Sequence, residues 1–594
     1  MDHTQSATEP QQAGSSTADT VLACATLAAV PLVLSACGGG GGGGGGDGDG
    51  DEPAPLGPAI TFTGLTIAVT TSTAAAVHID AVAADAEGAA AFRLDGGSGT
   101  VSRPRDPGHR QAESLYEFAI SAEGGMGSAT GTCVVRINPA PEDILSESDA
   151  RVLSLRHLFN RMSFGVGEEE LGRWLNVPYA EAVQRIVDAA DPSQTTQRPP
   201  SAATFHVLTW TEYDRLSPAE QQAYGDSKGD AISGIYAWWW REIIRTRQPL
   251  LEKMALFWHN LLVVAASDVF EPRAMWGYLD LLRSNALGSY RDLILAIARD
   301  PAMVMFLDSN SNVKGRPNEN FARELLELFT LGEGHVYGEA DVVEVAKCFT
   351  GWGITDRQVF VLRQDRHEPG AKTVLGSTIS FADDDPEQVR KDGEAVIERV
   401  LQESRVAVFI CEKLWDEFVG GARDDGMIAG WADTFRGSGD YDIRRVLKDI
   451  FTSSAFTAAG NRGNMIRSPV EYAAAIFRAT GLQPGRYIDY YWRASQEDQA
   501  LLNPPNVRGW VGGLQWISAK TLLERRTHMA WTGWEFYNHG SQKVPERLDG
   551  VLELLWFATP VAQRAYVDDA VLITWDPRGE RIRRLLTDPA LNCK

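Results

Sequence analysis

The spacing of apolar residues divides the chain into three stretches. Residues 21–36 are an unbroken apolar and small run, short for a bilayer span and of the length of a signal-peptide core. Over residues 58–140 apolar and polar positions alternate, at 61–63, 65–70, 77–80, 116–120 and 133–137, with Gly, Asp and Ser clusters between. That pattern predicts a small β-sandwich. From Ser146 the period becomes helical and stays so to Lys594. Val152, Leu155, Phe159 and Met162 mark one helix face, and Leu250, Met254, Phe257 and Leu261 mark another behind Pro249. Helices are also predicted at 278–285, 293–299, 340–349, 395–419 and 443–451, with a β excursion at 359–362 and 367–376. The expected class is therefore mainly α: a large helical domain (146–594) with minor β insertions, preceded by the sandwich.

One segment organises the helical part. In RPNENFARELLELFTLGEG (316–334), Pro317 suits the first position of a helix and Gly332 its left-handed end. At about 100° per residue, Phe321, Ala322, Leu325, Leu326, Leu328 and Phe329 share one arc. Glu319, Asn320, Arg323, Glu324 and Glu327 take the other. This polar arc is either a solvated face laced by i,i+4 ion pairs, or the wall of a pocket into which Asn320, Arg323 and Glu324 point.

Composition narrows the choices. A net charge of −23 argues against sequence-independent nucleic-acid binding and against charge-driven docking on anionic lipid. The six cysteines form no CxxC pair and no zinc spacing. Cys37 stands apart, because residues 34–37 read LSAC and resemble a bacterial lipobox, although no Lys or Arg precedes Arg93. In a lipobox the peptide is cut before the cysteine, which receives acyl chains and anchors the protein to a membrane. The expected layout is a signal peptide (1–36), a lipidated cysteine with a glycine-rich tether (37–57), the sandwich and the helical domain. Gly38 in place of Asp favours, by resemblance to lipoprotein sorting, the outer membrane.

Candidate chemistry is dispersed. His259, on a stripe with Glu252 and Leu256, is a candidate base or metal ligand. His367 and Lys372 share a glycine-bearing turn where imidazole and ammonium can meet one anion; the alternative is a structural hairpin. In the loop 504–516, Trp510 and Trp516 offer a stacking platform for a sugar, or else a lid on the core, with Asn506 beside them. Glu324 or His259 would move a proton, with Arg323 and Lys372 stabilising negative charge and Asn318 and Asn320 binding. The chain holds no GxSxG elbow, HExxH, P-loop or EF-hand loop. Metal and cofactor stay unassigned.

RHLFNRMSFG (156–165), FWHN (257–260), RDLILAIARDPAMVMFLDS (291–309), NENFARELLELFTLG (318–332), DVVEVAKCFTGW (341–352), HEPGAKTVLG (367–376) and PPNVRGWVGGLQWIS (504–518) occur in this order. Together they resemble the bacterial family catalogued as domain of unknown function 1800, exported in many members and without an established activity. Members often read FWHNHF; Leu261 stands here where their second histidine falls, and Phe329 where many carry His. The resemblance implies a partner, since the family's genes often neighbour a second exported family resembling sulfatases and phosphatases. Two readings follow: a hydrolase acting on an envelope or extracellular polymer, or a non-catalytic surface module binding glycan or a neighbouring exported protein.

Overall fold

The computed structural model describes residues 90–94, 97–101, 114–124 and 127–137 by their backbone. It also describes residues 150–539 and 592–594, except 167, 176, 196, 383, 384, 386 and 482. The expected leader, Cys37, the tether and the strands at 61–63, 65–70 and 77–80 lie outside these residues. The chain divides into two compact units, at Ile144 and Leu145.

In the first unit, β1 (Ala90–Leu94), β2 (Gly97–Val101), β3 (Ser114–Gly124) and β4 (Gly127–Ile137) form one antiparallel sheet in chain order. β3 and β4 pair along their full length, from Ser114 opposite Ile137 to Gly124 opposite Gly127. The alternations at 116–120 and 133–137 fall inside these two strands. β2, read GSGTV, escaped the period-two reading because glycines erase the apolar alternation.

The second unit is mainly helical. Its longer helices include α1 (Ala150–Met162), α2 (Pro218–Arg245), α3 (Pro249–Leu261) and α4 (Pro272–Asn285). Ser217 and Glu220 cap α2 reciprocally, satisfying two backbone N–H groups that the first turn leaves free. α2 starts as a polar arm in solvent and ends in the interior, where Trp238, Trp239 and Trp240 are all buried on different sides. α3 packs against α1, α2 and α4. Every residue from Pro249 to His259 is buried, so α3 is a central helix and its polar stripe faces protein on all sides.

Two of its charges bolt it to neighbours. Glu252 takes a bidentate pair of bonds from Arg283 of α4, Nη2 to Oε1 at 2.6 Å and Nε to Oε2 at 3.1 Å, and another from the Trp239 indole at 3.0 Å. Lys253 pairs with Glu417 and Glu471.

The organising segment departs from a plain helix. An α turn, α5 (Asn320–Glu324), passes into a π-helix over Leu325–Thr330, where Thr330 donates its hydroxyl to the Leu325 carbonyl. The helix starts at Asn320 because Asn318 accepts the Asn320 N–H at 2.9 Å and ties its own amide to Ser311 at 2.7 Å. Gly332, at φ 86°, ends it as expected. Wider winding leaves Leu328 half-buried, where the 100° wheel puts it on the apolar arc, and brings Thr330 inside.

Beyond lie α6 (Glu339–Cys348), α7 (Gln388–Leu401), α8 (Ser404–Phe418), α9 (Pro469–Thr480) and α10 (Ala519–His539). The helix expected over 395–419 is thus two, broken at residues 402–403. The β excursion is two hairpins, β5 (Trp352–Ile354) with β6 (Phe360–Leu362), and β7 (Lys372–Val374) with β8 (Ser377–Ile379). The second turns on Leu375 and Gly376, both at positive φ, as a two-residue hairpin loop requires.

Candidate functional site

Two stretches almost 250 residues apart meet at the end of α3. The Asn260 side-chain oxygen accepts the Trp510 backbone N–H at 2.7 Å. Gly509, at φ 80°, lies so close that a Cβ there would sit 2.3 Å from that same oxygen. Next to this junction, His259 is fully buried among three rings, Trp239, Tyr278 and Trp510, at centroid distances of 5.8, 5.6 and 5.1 Å.

The hydrogen bonds fix its tautomer. Tyr278 has one hydroxyl proton, and the Leu262 carbonyl at 2.6 Å can only accept it. The His259 Nδ1 to Tyr278 contact of 2.9 Å is therefore donated by the imidazole. Nε2 is left as a bare acceptor with no partner among the described residues. Burial pushes the imidazole down to about 3, so the ring is neutral at physiological pH.

Asp300 lies within electrostatic reach of Tyr278. It caps the short helix Pro301–Phe306 by accepting the Met303 N–H at 2.9 Å. Burial raises its carboxyl to about 7. His259 and Asp300 then pull stability in opposite directions. A histidine depressed to about 3 contributes stability that is full above about 6.5 and lost as pH falls. A carboxyl raised to about 7 contributes stability present below about 3.8 and lost as pH rises through 7. Asp300→Asn keeps the cap and removes one slope. The variant's unfolding free energy is expected to fall between pH 7 and pH 5 more steeply than the parent's, by about 1 kcal/mol per pH unit. Urea titrations at those two pH values check this; equal slopes would refute it.

Glu324 is half-buried on α5, and its Oε2 is sequestered without a partner among the described residues. Burial and then the neighbouring Glu327 raise its carboxyl, against the opposing pull of Arg508 and Arg323. The acids Glu327 and Glu333 lie within electrostatic reach of the Tyr337 hydroxyl, and Arg508 donates to Glu333 at 3.0 Å. The loop 504–516 therefore reaches both places, with Arg508 beside the acids and Trp510 against His259.

The remaining sequence-derived residues have other duties. Arg323 pairs with Glu319 at 3.1 Å, Glu327 at 3.4 Å and Glu339 at 2.8 Å, as a solvated ion-pair face. Asn318 and Asn320 hold the approach to α5, Asn320 donating to the Leu307 carbonyl at 3.2 Å. Asn506 accepts the Arg508 N–H at 2.9 Å, closing an Asx turn. Trp510 and Trp516 are only 6% and 5% exposed. This corrects the platform reading: the indoles anchor the loop as a lid, because indole faces this large are better removed from water.

His367 and Lys372 form a separate, wholly buried group around Asp392 of α7. His367 reaches the Thr350 carbonyl at 2.7 Å and Asp392 at 2.8 Å; Lys372 reaches the same Asp392 oxygen at 2.5 Å and the Glu368 carbonyl at 2.6 Å. Both imidazole nitrogens are engaged, and the group pins the β7–β8 hairpin to α7. Asp392 went unnoticed in the sequence, though a buried lysine demands a carboxylate. The His367 imidazole and Lys372 ammonium are thus committed to Asp392 and to loop carbonyls rather than to the expected partners His259 and Glu324. No hydrogen bond or ion pair among the described residues joins His259, Glu324 and the His367 group.

No group of three or more His, Cys, Asp or Glu among the described residues is placed to hold a metal ion. A surface hollow of about 480 Å³ near α7 contains none of these candidates, and its cations Arg291, Arg299 and Lys391 are already paired.

Fold and site together define a large, tryptophan-rich helical body in which distant motifs meet at the end of one central helix. The chain belongs to the family described as "Protein of unknown function (DUF1800)", whose model matches residues 157–584. No curated protein and no solved structure matches it.

Proposed function

We propose that the protein is a hydrolase of the bacterial cell envelope, acting on an envelope or extracellular polymer, with Glu324 as its proton donor. The observation that carries this reading is Glu324 itself. It is a carboxyl raised by burial and by a second acid, with one oxygen sequestered, on a π-turned helix beside the loop that brings Arg508. A raised carboxyl stays protonated nearer neutral pH, as a general acid needs. Glu327 supplies the second carboxylate, and Arg508 can stabilise developing negative charge. Around them Glu319, Glu327, Glu333 and Glu339 outnumber Arg323 and Arg508. Neutral or cationic polymers therefore suit this acidic surface better than sulfate or phosphate esters.

The envelope location rests on the sequence. Cys37 would carry the lipid, Gly38 points to the outer membrane, and the tether and a β-sandwich would space the helical unit from the bilayer. A sulfatase- or phosphatase-like exported protein is its proposed partner. No helix among the described residues is long and apolar enough to cross a membrane.

The test is turnover of a glycan, sulfate-ester and phosphate-ester panel by purified protein, with elemental analysis of the same sample. Glu324→Gln is expected to lower turnover by about 10²-fold or more at an unchanged thermal midpoint. Full activity in Glu324→Gln would refute the assignment. One observation favours the non-catalytic alternative. Between the two buried indoles the loop exposes Val511 and Leu514, the latter at 78%. Binding of glycan or of an exported protein, without turnover and lost in Leu514→Ser, would establish that reading instead.

A further inference from the structure

We propose that one water-sized molecule, able both to donate and to accept a hydrogen bond, is held between His259 Nε2 and Trp510 Nε1. These two atoms have opposite chemistry. The tautomer deduced above makes Nε2 an acceptor only, and an indole N–H is a donor only. Both belong to side chains more than nine-tenths buried, at 0% and 6% exposure, and neither has a partner among the described residues. Their rings meet edge to face, with centroids 5.1 Å apart and planes at 77°.

Nearby protein groups are already committed. The Trp239 indole donates to Glu252, the Tyr278 hydroxyl to the Leu262 carbonyl, and the Asn260 oxygen accepts the Trp510 backbone. A buried donor or acceptor left unpaired costs about 1–3 kcal/mol. One molecule making a bond of about 2.9 Å to each nitrogen can bridge two nitrogens up to ~5.8 Å apart. It would satisfy both atoms at once, as buried waters do. Water meets both requirements and is the proposed occupant. An ion is excluded, because each nitrogen supplies the opposite requirement. This inference does not rest on the hydrolase reading.

The experiment uses the full chain, deuterated and ¹⁵N-labelled at His and Trp. The Trp510 indole proton is expected to show a cross-relaxation peak to a long-lived water, and His259 Nε2 the ¹⁵N shift of an unprotonated, hydrogen-bonded nitrogen. His259→Phe should abolish the water peak. Trp510→Phe, which keeps an aromatic ring and deletes only the donor, should move the His259 Nε2 shift. Absence of the water peak in the parent protein overturns the proposal whether or not either variant folds. So does a peak that survives His259→Phe, or a proton found on Nε2.

Discussion

Glu252→Ala is expected to destabilise the helical unit by about 3–5 kcal/mol, the usual cost of breaking a buried ion pair from one side. Glu252 is fully buried and accepts from the Arg283 guanidinium on both oxygens and from the Trp239 indole. Removing it strands the Arg283 guanidinium, itself only 2% exposed and stacked 4.9 Å over Trp238. It also leaves the Trp239 indole without its acceptor. Urea unfolding followed by tryptophan fluorescence measures the loss. The double variant Glu252→Leu with Arg283→Met is expected to recover much of it, since exchanging both charges for apolar groups of similar size is often neutral. A loss under about 1 kcal/mol in Glu252→Ala would mean that water or another group reaches Arg283, contrary to the burial described.

The second large effect lies on the other flank of α3. Glu471 accepts from both Lys253 and Lys594, and its second oxygen takes the Ser468 backbone N–H at 2.8 Å. Glu471→Ala removes the shared anion of two buried ammonium groups together with a helix cap, and an effect of about 3–5 kcal/mol or more follows. Burial works against the charged Glu471, yet the two lysines win and hold its carboxyl well below the ordinary range. Its contribution is therefore complete above about pH 4.5 and is lost as pH falls below that value. The two lysines shift in opposite senses. Lys253 is raised because it touches Glu417 as well as Glu471, whereas burial and the Lys253 charge push Lys594 down to about 8. Acid unfolding of Glu471→Ala should begin from a lower plateau and lose less between pH 5 and pH 3 than the parent. An unchanged acid limb would place the acid lability elsewhere, with the depressed His157 and His259 the next groups to replace.

Of the candidate site, the sequence exposed the parts and hid their pairing. The helix wheel found the buried face of α5, with Phe321, Ala322, Leu325, Leu326 and Phe329 all interior. It missed the π turn, because a wider winding leaves no trace in composition. It assigned His259 to a polar stripe, and the stripe is real. That stripe faces protein because α3 is enclosed on every side, and no periodicity within one helix reports what surrounds it. Asp392, Arg508 and Asn260 were invisible as site residues for the same reason: each acquires its role from a partner far along the chain.

By itself the sequence determined the mainly α class of the second unit, the glycine end of the organising helix and the membership of its family. These depend on periodicity and on local backbone preferences, which neighbours in the chain decide. Tertiary structure alone decided which charges are buried, which tautomer His259 holds, and that the indoles of the loop 504–516 close over the interior. Those follow from desolvation and hydrogen-bond matching between distant segments, and both exist only once the helices are packed.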